Sequence, residues 1–147
     1  MEMTGTGTNI QVAAAGNVDN IGVFAGVRYV DGQGNQVFSR YWPTGTTATD
    51  IVAYVYDDPN IVFEIQADTI AEADIGQLID WNLGSGSTST GVSGAYAEES
   101  TKGSTGKSLR IVRLVPRVDN AYGAYAKIEV VFAEHAIKGV VSGVGGV

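Results

Sequence analysis

The sequence predicts an all-β protein, a compact barrel or sandwich of about eight or nine short strands with one short helix over residues 69–76. Three observations carry this. Apolar residues alternate with polar ones over short runs, the two-residue period of a half-buried strand. Clusters of Gly, Asn, Asp and Ser separate those runs at spacings of roughly ten residues, as in sheets joined by tight turns. Gly supplies 20 of the 147 residues, against 3 Pro, about twice its ordinary share.

Taken in order, residues 10–14 read as a first short strand. Residues 22–31 read as a second, with Val23, Ala25, Val27 and Tyr29 on one face and Phe24, Arg28 and Val30 on the other. Asp31-Gly32-Gln33-Gly34-Asn35 then turns the chain, because Asp-Gly and Gly-Asn steps supply the positive φ angles that tight hairpins need. Residues 36–42 return as the partner strand, and Pro43 ends it. Residues 50–56 and 60–67 predict the clearest hairpin in the chain, around Asp57-Asp58-Pro59, with Ile61, Phe63 and Ile65 facing opposite to Val62, Glu64 and Gln66. Thr69-Ile70-Ala71-Glu72 has capping-box spacing, in which a Thr hydroxyl and a Glu carboxylate satisfy free backbone donors at a helix start. One or two helical turns ending near Gly76 are expected.

Residues 77–83 resume as strand. The tract 84–91, all Gly, Ser and Thr, has nothing to bury and reads as an exposed, mobile loop. A weak strand follows at 94–98, a second exposed polar loop at 99–107, and two strong closing strands at 109–118 and 125–133, joined at Asp119-Asn120-Ala121-Tyr122-Gly123. The tail 139–147, of Gly, Val and Ser alone, reads as flexible and in need of a neighbour to order it. No internal repeat is visible. A chain of 147 residues with 44% hydrophobic content supports a single core and a single domain.

Composition narrows the chemistry. With no Cys and one His, disulfide scaffolds, thiolate zinc sites, cysteine nucleophiles and clustered-imidazole metal sites are set aside. The formal charge of −7 opposes a diffuse attraction for nucleic acid, so no direct nucleic-acid partner is expected. No run approaches the ~18 apolar residues of a membrane span, and Met1-Glu2-Met3-Thr4-Gly5 lacks the basic-then-apolar layout of a signal peptide. The expectation is a soluble protein without an export signal. Charge is also uneven. Residues 41–101 hold ten acids and no base, whereas 102–117 hold Lys102, Lys107, Arg110, Arg113 and Arg117 and no acid. These segments are either solvated faces or a basic strand that meets an acidic surface on another copy or partner.

Motifs that suggest chemistry fail on spacing. Gly103-Ser104-Thr105-Gly106-Lys107-Ser108 resembles the end of a phosphate-binding loop, but Thr101 stands where the leading Gly belongs, and a strand rather than a helix follows. Asp31 to Asn35 places oxygen-bearing side chains at alternate positions as calcium loops do, without the distant bidentate Glu. His135 lacks a second His or a nucleophile context and reads as exposed or structural. The carboxylates Asp57, Asp58, Glu64, Asp68, Glu72, Asp74 and Asp80 include no pair recognisable as acid and base, and most fall in turns or on outward positions. Trp42, Trp81, Tyr29, Tyr41, Tyr54 and Tyr56 are candidates for a sugar-binding face, against the alternative that they fill the core or subunit interfaces.

A longer pattern runs through the chain: Gly22-Val23-Phe24-Ala25-Gly26-Val27, Tyr41-Trp42-Pro43, Asp58-Pro59-Asn60-Ile61-Val62-Phe63-Glu64-Ile65-Gln66-Ala67-Asp68 and Asp74-Ile75-Gly76-Gln77. It continues through the segment 86–94, Leu114-Val115 and Asp119-Asn120. From about Gly5 to His135 the sequence resembles a group of tailed-bacteriophage head proteins, the small β-rich capsid decoration, or cement, proteins. Members of that group carry a further leading stretch, ending in a Gly-Asp-Pro-Val-like element, where this sequence has Met1-Glu2-Met3.

The resemblance implies a structural virion protein on the outer surface of the capsid. It implies a homotrimer seated at junctions between subunits of the major capsid protein, with no enzymatic activity, cofactor or metal. Linked modest contacts to several shell subunits would give such a trimer its avidity. Arg110, Arg113, Arg117, Trp42 and Trp81 are the interface candidates, since Arg and aromatic residues are enriched at such surfaces. The alternative reading is a carbohydrate-binding or adhesive β domain that takes a host-surface glycan. A small hydrolase built on paired carboxylates is the third.

Overall fold

The computed structural model describes residues 1–4, 9–17, 19–43 and 45–136. Among these the chain is all-β, with twelve strands and one 3-10 turn. Glu2–Thr4 (β1) pairs with Asn9–Gln11 (β2). Val23–Asp31 (β3), Gln36–Ser39 (β4) and Ala48–Tyr56 (β5) form a three-stranded antiparallel sheet in the order β4-β3-β5. The main sheet has five strands. These are Phe63–Gln66 (β6), Leu78–Leu83 (β8), Ala95–Gly103 (β9), Leu109–Leu114 (β10) and Lys127–Phe132 (β12), in the order β6-β12-β10-β8-β9. Thr69–Ile70 (β7) and Gly123–Ala124 (β11) make a two-residue clip.

The five-stranded sheet curls until its edges meet. Ala67, just after β6, bridges Ala97 of β9 in parallel, and the Asp68 N–H donates to the Ala97 carbonyl at 3.1 Å. Both alanines are fully buried, and only side chains this small let the two edges come together. Inside lie Ile70, Ile79, Leu109, Ile111, Ala126, Ile128, Val130 and Phe132, with Phe63, Ile65, Ile75, Trp81 and Leu114 packed around them. Phe63 meets Phe132 edge to face at 5.5 Å, the geometry that aromatic quadrupoles favour. The alternation read for residues 61–66 holds, with Ile61, Phe63 and Ile65 more covered than Val62, Glu64 and Gln66.

Several local expectations give way to tertiary pairing. The hairpin expected from residues 50–56 and 60–67 does not form: β5 pairs with β3, and β6 pairs with β12. The turn itself is present, with the Asn60 N–H donating to Asp58 Oδ1 at 2.8 Å, but it carries the chain from one sheet to the other. β5 matches the nine-residue length of β3, while Phe63 and Ile65 are drawn to the barrel core, and these long-range partners outweigh proximity. The single face read for Val23, Ala25, Val27 and Tyr29 is also corrected. A β-bulge between Phe24 and Gly26 switches the face, so Val23 and Ala25 are exposed whereas Val27 and Tyr29 are buried. Gly26 sits in the bulge at φ +155°, where a side chain is disfavoured.

Thr69 is not a helix cap. It lies in β7, and the turn is a single 3-10 turn over Glu72–Asp74, closed by the Ala71 N–H donating to the Asp74 carboxylate at 2.8 Å. The polar loop expected over 99–107 is strand as far as Gly103. Polar residues sit there because β9 bulges against β8, and Thr101 Oγ1 takes the Asp80 N–H at 2.9 Å in place of a ladder carbonyl. β10 stops at Leu114 rather than 118, since Pro116 has no N–H with which to continue. The segment 84–90 is exposed as expected, its ends held by the Gly84–Gly94 and Ser87–Val92 backbone bonds. The strand count exceeds eight or nine because β1, β7 and β11 are too short to show a period. The tail 139–147 lies outside the described residues.

Candidate binding surface

Four of the five cations of the basic segment are bound to carboxylates of the same chain. Arg113 on β10 stands directly across from Glu129 on β12 and grips it with Nε at 2.7 Å and Nη2 at 3.0 Å. That bidentate bond holds the Arg113 guanidinium above its ordinary pKa. Arg117 Nη2 donates to Glu64 at 2.8 Å. Lys102 bridges Asp74 and Glu99, each at 2.7 Å, and Lys107 reaches Asp80 at 3.0 Å. Arg110 donates to the Gly76 carbonyl at 3.3 Å. Three cations of the basic block, Lys102, Lys107 and Arg117, are therefore paired within the fold with four of the ten acids of the acidic block.

Two of the carboxylates expected to be solvated, Asp74 and Asp80, are buried. Burial pushes the Asp74 carboxyl up, but the Lys102 ammonium and the Ala71 N–H outweigh it and hold the group below its ordinary value. Lys102 is raised in turn, first by its hydrogen bond to Asp74 and then by that to Glu99. Asp80 Oδ1 accepts the Ser108 N–H at 2.9 Å, while the Ser108 hydroxyl lies 2.8 Å from the Asn17 carbonyl. This cluster ties the segment before β3 to the barrel. A shallow depression of about 450 Å³ beside Asp74, Glu99, Lys102 and Tyr122 therefore offers a lysine already engaged by two acids.

An apolar display among the described residues is the outward face of the β4-β3-β5 sheet. The register places Val23 and Tyr56, Gly26 and Tyr54, Arg28 with Phe38 and Val52, and Val30 with Gln36 and Thr49 on one face. Val27, Tyr29, Val37, Ala53 and Val55 take the other, which is the more covered. On the outward face Phe38 is 68% exposed, Tyr56 56% and Tyr54 46%, with Val23 and Val52 also exposed. Its paired positions hold a single charge, Arg28, and no carboxylate. The signal was present in the sequence: residues 51–56 are apolar without interruption, the mark of a strand covered on both faces. Within one chain β5 is an edge strand covered on one.

A second apolar display caps the β10–β12 connection. Asn120 staples this loop, its Nδ2 donating to the carbonyls of Val115 at 2.9 Å and Lys127 at 2.8 Å while its Oδ1 accepts the Lys127 N–H at 2.9 Å. The loop thus held leaves Val118, Tyr122 and Tyr125 exposed. Tyr125 has φ +60°, a left-handed conformation that is uncommon for a residue with a bulky side chain.

The two tryptophans pack against different partners, and no ring contact joins them. Trp42, beyond β4, packs edge-on against Tyr29 at 5.3 Å and is exposed over 42% of its surface. Trp81, on β8, is half-buried against the barrel core. The glycine-rich segment 103–108 joins β9 to β10, two strands, as its failed spacing implied. His135 is buried, its ring edge-on to Phe132. Among the described residues no group of three or more His, Asp or Glu is placed to hold a metal ion, and no helix is long and apolar enough to cross a membrane. The chain matches no protein-family model, no curated protein and no solved structure.

Proposed function

We propose that the chain is a structural virion protein, a capsid decoration or cement protein. In this reading it binds the outer surface of a tailed-phage head as a homotrimer and stabilises contacts between subunits of the major capsid protein. The observation that carries it is the outward face of the β4-β3-β5 sheet, with Phe38, Tyr54 and Tyr56 uncovered. The largest apolar patch on a soluble protein is often a functional surface. Such a face suits the contacts within a homotrimer, and the resemblance of the ordered residue pattern to phage head proteins supports the capsid as what the assembled protein covers. In this role the protein needs surfaces rather than an active site or cofactor, and the carboxylates and cations of the barrel serve to hold the scaffold.

The test is add-back to stripped heads. Heads freed of the protein should lose heat stability and regain it when the purified chain is restored. Unchanged stability in both steps would refute a cementing role. A second reading, an adhesive domain that takes a host-surface glycan, is favoured by the exposed indole of Trp42. Glycan binding that disappears in Trp42→Ala, in a protein that ignores heads, would establish it in place of the first.

A further inference from the structure

We infer that the outward face of the β4-β3-β5 sheet is where copies of this chain meet, so that its occupant is a second copy of the same protein. The inference rests on the reading above only in giving its trimer a surface. It does not depend on what the assembled protein covers.

Area comes first. At roughly 200 Å² per aromatic residue, the exposed fractions of Phe38, Tyr54 and Tyr56 leave about 340 Å² of aromatic surface in water. Val23 and Val52 add to it. That reaches the ~300–600 Å² of the largest patches on ordinary monomers and approaches half of the ~800 Å² that each partner gives to a standard interface. Tyr and Phe are also the residue types that concentrate at the dry centre of such interfaces.

Charge then selects the partner. Each copy carries −7, so contact between copies is opposed wherever carboxylates face each other and is least opposed on a face without them. The chain has 16 acidic residues, yet none occupies a paired position of this face. An apolar face of this composition suits contact with a copy that carries the same net charge.

Edge geometry fixes the manner of contact. Thr49 pairs with Val30 and Val52 with Arg28, which leaves Asp50 and Ile51 together opposite Tyr29. Asp50 takes φ +50° in this bulge. A bulge with a carboxylate blunts the outer edge of β5 against strand addition. Copies therefore meet through this face rather than by extending the sheet at β5.

The test is solution mass by light scattering over a dilution series, on the full chain. The wild type should give a whole-number multiple of 15.3 kDa. Phe38→Arg combined with Tyr54→Arg should raise the assembly midpoint by about a hundredfold, the effect of losing two central aromatics, while Val118→Glu on the loop tip leaves it unchanged. Because the chain has no cysteine, a single Phe38→Cys supplies a second readout that does not require the arginine variant to fold. Mild oxidation should convert it to a covalent dimer, and Val118→Cys should remain monomeric on a denaturing gel. A monomeric wild type, or an assembly that survives the double arginine change in a folded protein, overturns the inference. So does preferential cross-linking through Val118→Cys. An assembled protein that loses mass as expected but fails to bind heads sinks the decoration reading and leaves this one standing. Head binding by an assembly indifferent to Phe38 and Tyr54 does the reverse.

Discussion

Glu64 and Glu129 lie directly opposite one another on β6 and β12, a like-charge pair that opposes sheet pairing, and each is held by its own arginine. Arg117 takes Glu64 at 2.8 Å and Arg113 takes Glu129 at 2.7 Å. The four side chains run Arg113, Glu129, Glu64, Arg117, with the two carboxylates side by side and an arginine on each. Arg113→Ala should lower Tm by exposing Glu129 to Glu64, and Glu64→Gln in the same molecule should restore most of the loss. A loss that Glu64→Gln leaves untouched would show that Arg113 acts through packing alone.

The Asp80 cluster should matter more than these surface pairs. Asp80→Ala strands the buried Ser108 N–H and the half-buried Lys107 ammonium, at a cost of about 2–3 kcal/mol, read as a lower urea midpoint at unchanged slope. Asp80→Asn keeps an acceptor for Ser108 and should lose less. Equal losses in the two variants would place the whole effect in the ion pair with Lys107.

Stability should fall at both ends of the pH scale through one ion pair. Asp74 is held below its ordinary 3.8 in the folded state. Its contribution is present above that pH and is lost as pH falls through the folded value. Lys102 is raised above 10.5, so its contribution is present below that pH and is lost as pH rises through the folded value. Asp74→Asn should therefore lower the urea midpoint at pH 7 and shrink the drop between pH 7 and pH 3. Some acid sensitivity should persist, because the Asn35 backbone N–H also holds Asp31 below its ordinary value, and Asp31→Asn should reduce that remainder.

Asn120→Ala removes three side-chain bonds to the backbone of one loop. The expected cost is about 2 kcal/mol, accompanied by faster proteolysis near Val118. Asn120→Asp retains the acceptor for the Lys127 N–H but loses both donated bonds, and should fall between wild type and Asn120→Ala.

Tyr125 offers a change of opposite sign. At φ +60° and 72% exposure, its side chain carries backbone strain and little packing. Tyr125→Gly should be neutral or stabilising by up to about 1 kcal/mol, while Tyr125→Val, β-branched, should be clearly destabilising. A strong loss on Tyr125→Gly would mean that the ring packs against the fold.

The all-β class and most strand positions were legible because period-two alternation and Gly-Asn-Asp turns are local properties, as the Asp31 to Asn35 turn and the 61–66 alternation show. The short partners β1, β7 and β11 were not, since two or three residues carry no period. The interface candidates divide the same way. Arg113 and Arg117 are recognisable as charged surface residues, but their partners Glu129 and Glu64 lie 16 and 53 residues away, and nothing local announces such pairs.

By itself the sequence determined what each segment favours: strand or turn, apolar or charged, and a charge split between residues 41–101 and 102–117. Only the tertiary structure decided which segments pair. Strand pairing is governed by side chains far apart in the chain, so β5 left its neighbour β6 for β3 and β6 joined β12. A single bulged residue reverses every face beyond it, and the bulge at Gly26 thus settled which of the apolar residues of β3 are covered. The same long-range pairing drew the acidic and basic blocks together inside one chain and left the apolar face of Phe38, Tyr54 and Tyr56 as the surface still to be covered.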